Sequence, residues 1–273
     1  MTPYPNLISE SLLISETVAL LRSFGGKASA VSVVDFVMKI RKPDPRMAKM
    51  LVADLIDRDP RLSLNEDMVE LELDGFEDRE LAGTDFVVFD LETTGAKAPP
   101  CRITEIGAYR VRNGEVAEKF ETLLNPEMPI PAFISQLTGI TDEMVRDAPL
   151  FADVVGDFLQ FIGDSVLVAH NSGFDMRFLN HEVSRIFPDY RLANPCLCTV
   201  QLSRKLLPNI VNHKLKTVAE HYSIDLTNHH RASADAYATA HIFVNLLARL
   251  HENGMKDLGA LRNMSSRKNR YVR

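Results

Sequence analysis

The ten residues at 86–95, FVVFDLETTG, constrain this chain more than any other stretch. The first four are apolar and rich in β-branched and aromatic types, as in a strand buried on both faces. Two carboxylates then follow at alternate positions. Period-two alternation puts Asp90 and Glu92 on one face, together with Phe86 and Val88. Two residues of strand rise set their Cα atoms about 7 Å apart. Two anions turned toward one interior without a cation cost on the order of several kcal/mol. Solvent or a positive charge must meet them, so the end of this strand is a candidate site.

Two further carboxylates sit where strand or loop gives way to helix. Asp175 follows the buried-strand pattern SVLVAH and a short polar turn, and Asp235 opens the last long helical pattern in HHRASADA. Layered α/β sheets present their ligand sites at the carboxyl ends of strands. An acid in the first turn of a helix is common in itself, so neither residue alone is decisive. Carboxylate oxygens with few nitrogen or sulfur donors suit Mg²⁺ or Mn²⁺. Two such ions about 4 Å apart can polarise a phosphodiester, orient a water and stabilise the leaving oxygen. His230 stands five residues before Asp235. That is not a same-face helical spacing, so the two meet only if His230 lies on the loop before the helix. An imidazole there could take a proton from the attacking water, and spacing alone leaves His229 equally open.

The surroundings read as two domains. Residues 1–72 offer three helical patterns, ISETVALLRSFGG, SAVSVVDFVMKIR and DPRMAKMLVADLIDRD. A strand pair follows, turning at Asn65, Glu66 and Asp67. The set looks like a winged helix. Residues 73–84, charged and glycine-containing, read as a linker. The domain at 85–252 starts with the quoted strand. A hairpin comes next, marked by Asn113-Gly114 between ITEIGAYRVR and EVAEKFETLL. Thr141 caps a short helix, with Asp142 and Glu143 in its first turn. Helical patterns then alternate with strands, which implies a mixed sheet with helices packed on it. Residues 253–273 end in RNMSSRKNRYVR and read as a basic tail, either frayed or loosely holding phosphate.

In order, VVFDLETTG, AHNSGFD and HRASAD resemble the three motifs of the DnaQ-like (DEDDh) 3′–5′ exonucleases, a ribonuclease H-like family that includes polymerase proofreading subunits. LTGIT, Leu137 onward, and the HKL that ends at Leu215 also resemble family segments. The resemblance implies a ribonuclease H-like mixed sheet flanked by helices, hydrolysis from the 3′ end and release of nucleoside 5′-monophosphates. It implies two divalent ions on Asp90, Glu92, Asp175 and Asp235, with His230 as general base. It further implies that Leu91, Thr93 and Thr94 line the pocket for the terminal nucleotide, that Leu137 and Ile140 touch its base, and that Phe174 supports that wall. Many relatives carry Asp where Cys198 precedes Thr199, so capping of the next helix is expected to suffer.

Charge bears on the partners. The chain has a net charge of −6, and residues 1–83 hold 10 basic against 15 acidic residues. The third helical pattern sets Arg46 and Lys49 against Asp54, Asp57 and Asp59, a poor recognition helix for DNA. Docking to a polymerase or repair protein is therefore the expected role of the N-terminal domain. No run of residues is apolar enough for a membrane span, and the N-terminus does not read as a secretion signal. Three cysteines suit a reducing cytoplasm, and Cys196-x-Cys198 is an unsupported zinc site. Beside a DNA exonuclease stand two rival readings, an RNA-trimming exoribonuclease and a non-catalytic adaptor that uses the fold only to bind.

Overall fold

The computed structural model describes residues 4–57, 59–72, 80, 81, 83–226 and 229–265. Most of the expected linker, at 73–79 and 82, and the tail from 266 onward lie outside them. The chain divides into two compact units, Met1–Gly75 with Val183–Ala193, and Phe76–Glu182 with Asn194–Arg273.

The first unit runs β1 (Leu7–Ser9), α1 (Leu12–Ser23), β2 (Lys27–Ser29), α2 (Ala30–Phe36), α3 (Pro45–Ile56), β3 (Leu62–Asn65) and β4 (Met68–Leu71). Each helix starts on a side-chain cap: Ser11 accepts from the Ile14 amide, Ser29 from Ser32, and Asp44 from Arg46 and Met47. Gly25 and Gly26 take positive φ to end α1. The β3–β4 hairpin turns at Glu66–Asp67, and its strands join β2 in the antiparallel order β2-β4-β3. Ile14, Leu21, Val33, Val52 and Val69 close the core. Three helices with a small sheet match the winged-helix-like expectation. The strand β2 was not legible, because three residues carry no period.

The second unit contributes β5 (Phe86–Thr93), β6 (Ile103–Arg112), β7 (Glu115–Leu123), α4 (Ala132–Thr138), α5 (Asp142–Val145), α6 (Phe151–Ile162), β8 (Val166–Ala169) and α7 (Asp175–Ile186). After β9 (Tyr190–Leu192) come β10 (Cys196–Cys198), α8 (Thr199–Leu206), α9 (Leu215–His221), α10 (Ala232–Glu252) and α11 (Leu258–Ser265). The end of α7 and β9 group with the first unit, where β9 pairs antiparallel with β1. The five-stranded sheet has the order β10-β8-β5-β6-β7, antiparallel from β5 to β7 and parallel from β5 to β10. This is the mixed sheet that was expected. Asn113 and Gly114 both take positive φ in the two-residue β6–β7 turn. Thr141 caps α5 through the Met144 amide.

Helix α10 covers the face of β5 that bears Phe86 and Val88. Those two side chains share a core with Ile242, Phe243, Leu246 and Leu250, and the Phe86 and Phe243 rings meet at 4.9 Å. At the start of the stretch expected as a basic tail, Leu258–Ser265 is a helix whose Leu258 and Leu261 are fully buried in that same core; the residues from 266 onward lie outside the described ones. No helix among the described residues is long and apolar enough to cross a membrane.

Candidate active site

The alternation that sends Phe86 and Val88 under α10 carries Asp90 and Glu92 to its N-terminal end. There Asp235, in the first turn of α10, meets them: each of the three offers an oxygen within 4.8 Å of the others. Asp175 is outside that trio but next to Asp90, whose pKa its charge raises more than any other ion does. The amide N–H groups of Leu91 and of Asp175 itself donate to the Asp175 carboxylate. Asp175 and Asp235 are buried, Asp90 and Glu92 half-buried.

Such crowding makes ionisation costly. Burial, then Asp175, Asp235 and Glu92, pushes Asp90 well above the ordinary carboxylate range. Burial and Asp235 raise Glu92 to about 8, and burial raises Asp175 to about 7. Among the described residues, no lysine or arginine pairs with Asp90, Glu92 or Asp175, while Asp235 pairs with His229. Concentrated, unpaired carboxylate oxygens of this kind fit hard divalent cations. A groove of about 1390 Å³ opens beside them, lined by residues that include Glu105, His229, Arg231, Leu137 and Tyr237.

His230 lies on the loop before α10, as spacing required, with a φ of 70°. The side chain that bonds Asp235, however, belongs to His229: its Nδ1 stands 2.8 and 3.0 Å from the two oxygens. His230 donates its backbone N–H to Asp235 Oδ2 at 3.2 Å, and its ring stacks on His229 at 3.9 Å. Burial and then His229 lower the His230 pKa.

The expected nucleotide-pocket residues divide. Leu137 is 51% exposed at the groove, and Phe174 is half-buried against Phe178. Ile140 is fully buried with Ile130, Ile134 and Val145, so it backs the wall and offers no surface. Leu91, Thr93 and Thr94 are also buried. The Thr93 hydroxyl donates to Gly95 O, and Thr94 Oγ1 accepts from the Arg102 amide. Their hydroxyls thus hold the loop after β5. Cys198 provides α8 no side-chain cap, as expected, and Thr199 Oγ1 instead contacts His170 Nδ1 at 2.9 Å. Reading by motif overlooked Glu105, although a lone acid in the apolar β6 is the same signal that marked Asp90.

Comparison with known proteins agrees. The family model RNase_T, described as "Exonuclease", matches residues 87–243. The chain is 43% identical over 188 residues to the PolC-type DNA polymerase III of Bacillus subtilis, covering 69% of this chain and 13% of that protein. It is 45% identical over 197 residues to the PolC-type enzyme of Oceanobacillus iheyensis, covering 72% of this chain and 14% of that one. Among solved structures, exonuclease X in complex with 5′ overhanging duplex DNA superposes with a TM-score of 0.54 at 25% identity, covering 66% of this chain and 99% of that one. The matched region spans nearly all of β5, the Asp175 turn and the first turn of α10, so every acid of the cluster falls within it. The chain belongs to the exonuclease family.

Proposed function

We propose that this chain hydrolyses DNA from the 3′ end and releases nucleoside 5′-monophosphates, in proofreading or repair. The carrying observation is the meeting of Asp90, Glu92 and Asp235 within 4.8 Å, beside Asp175, without a pairing lysine or arginine. These four residues would hold two divalent ions, Mg²⁺ or Mn²⁺. Bound there, the ions would polarise the phosphodiester and acidify a water. His230, kept neutral near pH 7 by its lowered pKa, takes the proton of the attacking water. Asp235 holds His229 and the His230 amide, which fixes the loop that presents the imidazole. Leu137, exposed at the groove, and the half-buried Phe174 would offer apolar surface to the terminal base. DNA is favoured over RNA because the relatives at 43% and 45% identity are DNA polymerases.

The N-terminal unit would dock a polymerase or repair partner, in the cytoplasm. Lys49, one of its few helix-α3 cations, is already paired with Asp67 at 3.5 Å, while Phe36 and Met50 are exposed. The deciding experiment gives the protein matched 3′-labelled DNA and RNA strands with Mg²⁺ or Mn²⁺. Mononucleotides should appear, faster from DNA, and Asp90→Ala should release none. Faster cleavage of RNA would move the reading to the exoribonuclease, and tight end-binding without turnover would move it to the adaptor.

A further inference from the structure

We propose that Glu105 and Arg231 form a positioning strut that pins the first turn of α10 to β6 and thereby delivers Asp235 to Asp90 and Glu92. Glu105 is then not a fifth cation-holding carboxylate. The strut matters to function only if the trio binds a divalent ion, as proposed for the catalytic site, and it accounts for how the trio is assembled.

Three alternate residues on one face of β6 engage the entry to α10. Glu105 pairs with Glu92 in the ladder, and Gly107 with Asp90, so both face the site. Glu105 is 4% exposed, and its carboxylate accepts from Arg231 Nε at 3.1 and 3.2 Å, from Arg231 Nη2 at 2.8 Å, and from the Ala232 amide at 2.9 Å. A carboxylate has about four lone-pair sites, and three N–H donors, one of them shared between both oxygens, occupy most of them. Gly107 lets the backbones touch: a Cβ there would stand 2.4 Å from Ala232 C and Ser233 N. Tyr109 closes the strip, its hydroxyl 3.1 Å from Ser233 Oγ.

The helix needs this help. Its N-cap is Arg231, which provides no side-chain cap, so an acid on the neighbouring strand takes the first orphan N–H in its place. That negative charge also complements the helix dipole of a 21-residue helix. Arg231 is paired with Glu105, and Asp90, Glu92 and Asp175 are left without a lysine or arginine partner among the described residues. Asp235 begins the hydrogen-bonded helix, its amide donating to Arg231 O at 2.9 Å, so whatever fixes Arg231 fixes Asp235.

The test uses Glu105→Gln and Arg231→Gln in the full chain. Two readouts are taken, amide hydrogen exchange at residues 232–235 without metal, and Mn²⁺ affinity by calorimetry. Both variants should speed exchange in that turn by roughly tenfold, leave the middle of α10 protected, and weaken Mn²⁺ binding roughly tenfold or more. Arg231→Lys, which keeps the charge but loses the fork, should fall between. If exchange stays at the wild-type rate, the strut is wrong. If Arg231→Gln binds Mn²⁺ as well as or better than wild type while Glu105→Gln binds worse, Glu105 is a ligand and the inference falls. Faster exchange in both variants, with no Mn²⁺ bound even by wild type, would keep the strut and remove the catalytic reading. Should Glu105→Gln fail to fold, the exchange rate of Arg231→Gln alone decides whether the strut exists.

Discussion

Strand β5 and helix α10 meet twice, and the two meetings are opposites. At one end Phe86 and Val88 bury against Phe243 and Leu246, an apolar contact with nothing to satisfy. At the other, four residues further along the same face, Asp90 and Glu92 crowd Asp235, and burial together with the charge of Asp235 raises the pKa of both. Burial stabilises the first end and destabilises the second. The lesson is that the rigid apolar half holds the carboxylates at a spacing they would not choose, ready for a cation.

The largest effect should come from relieving the costly end. Asp90→Asn removes a carboxyl that burial and its neighbours make costly to ionise, so the metal-free protein should melt higher at alkaline pH while exonuclease turnover falls at least about 10³-fold. Calorimetry and single-turnover cleavage read the two together; a lower melting temperature would mean the cluster is not under repulsion. Breaking the other end should do the reverse. Phe243→Ala opens a cavity in a fully buried site and should cost about 3–5 kcal/mol in denaturant unfolding. Cleavage per folded molecule should change little, and a collapse of activity at full folding would show that the two ends are not separable.

Acidity sharpens the comparison further. Glu92 and Asp175 have folded pKa values of about 8 and about 7, raised from 4.5 and 3.8. A raised pKa means the folded chain holds protons that the unfolded chain would release. The stability these groups contribute is therefore present below about pH 4 and lost as pH climbs through 7 and 8. Without metal, the melting temperature should decline over that window. Mn²⁺ should raise it more at pH 8 than at pH 6, because protons compete for the same oxygens. An equal rise at both would contradict the raised values. The smallest effect is expected away from both ends. Phe36 is 56% exposed in the N-terminal unit, and Phe36→Ser should shift stability by no more than about 0.5 kcal/mol. Turnover on short strands should be unchanged; a loss would mean that unit takes part in catalysis.

Much of the fold is legible because its signals are local. The apolar run of β5, the Asn113-Gly114 turn and the cap at Thr141 each state their structure within a few residues. The three-residue strands β1, β2, β9 and β10 are not legible, since their pairing is long-range and their length carries no period. Within the site, motif spacing marked the four acids but not the division of labour between His229 and His230, because neighbours in sequence turn to different partners once the loop adopts positive φ. Ile140 and Leu137 look alike in the sequence, yet one is core and the other exposed.

By itself, the order of residues determined which groups are candidates for the chemistry: alternation committed Asp90 and Glu92 to one face, and the motifs named Asp175 and Asp235. Only the tertiary structure decided that Glu105 is spent on Arg231 and that Gly107 admits the helix backbone. The physical reason is range. A face of a strand is set by neighbours two residues away, whereas a glutamate's partner 126 residues distant exists only after the sheet and helix have packed.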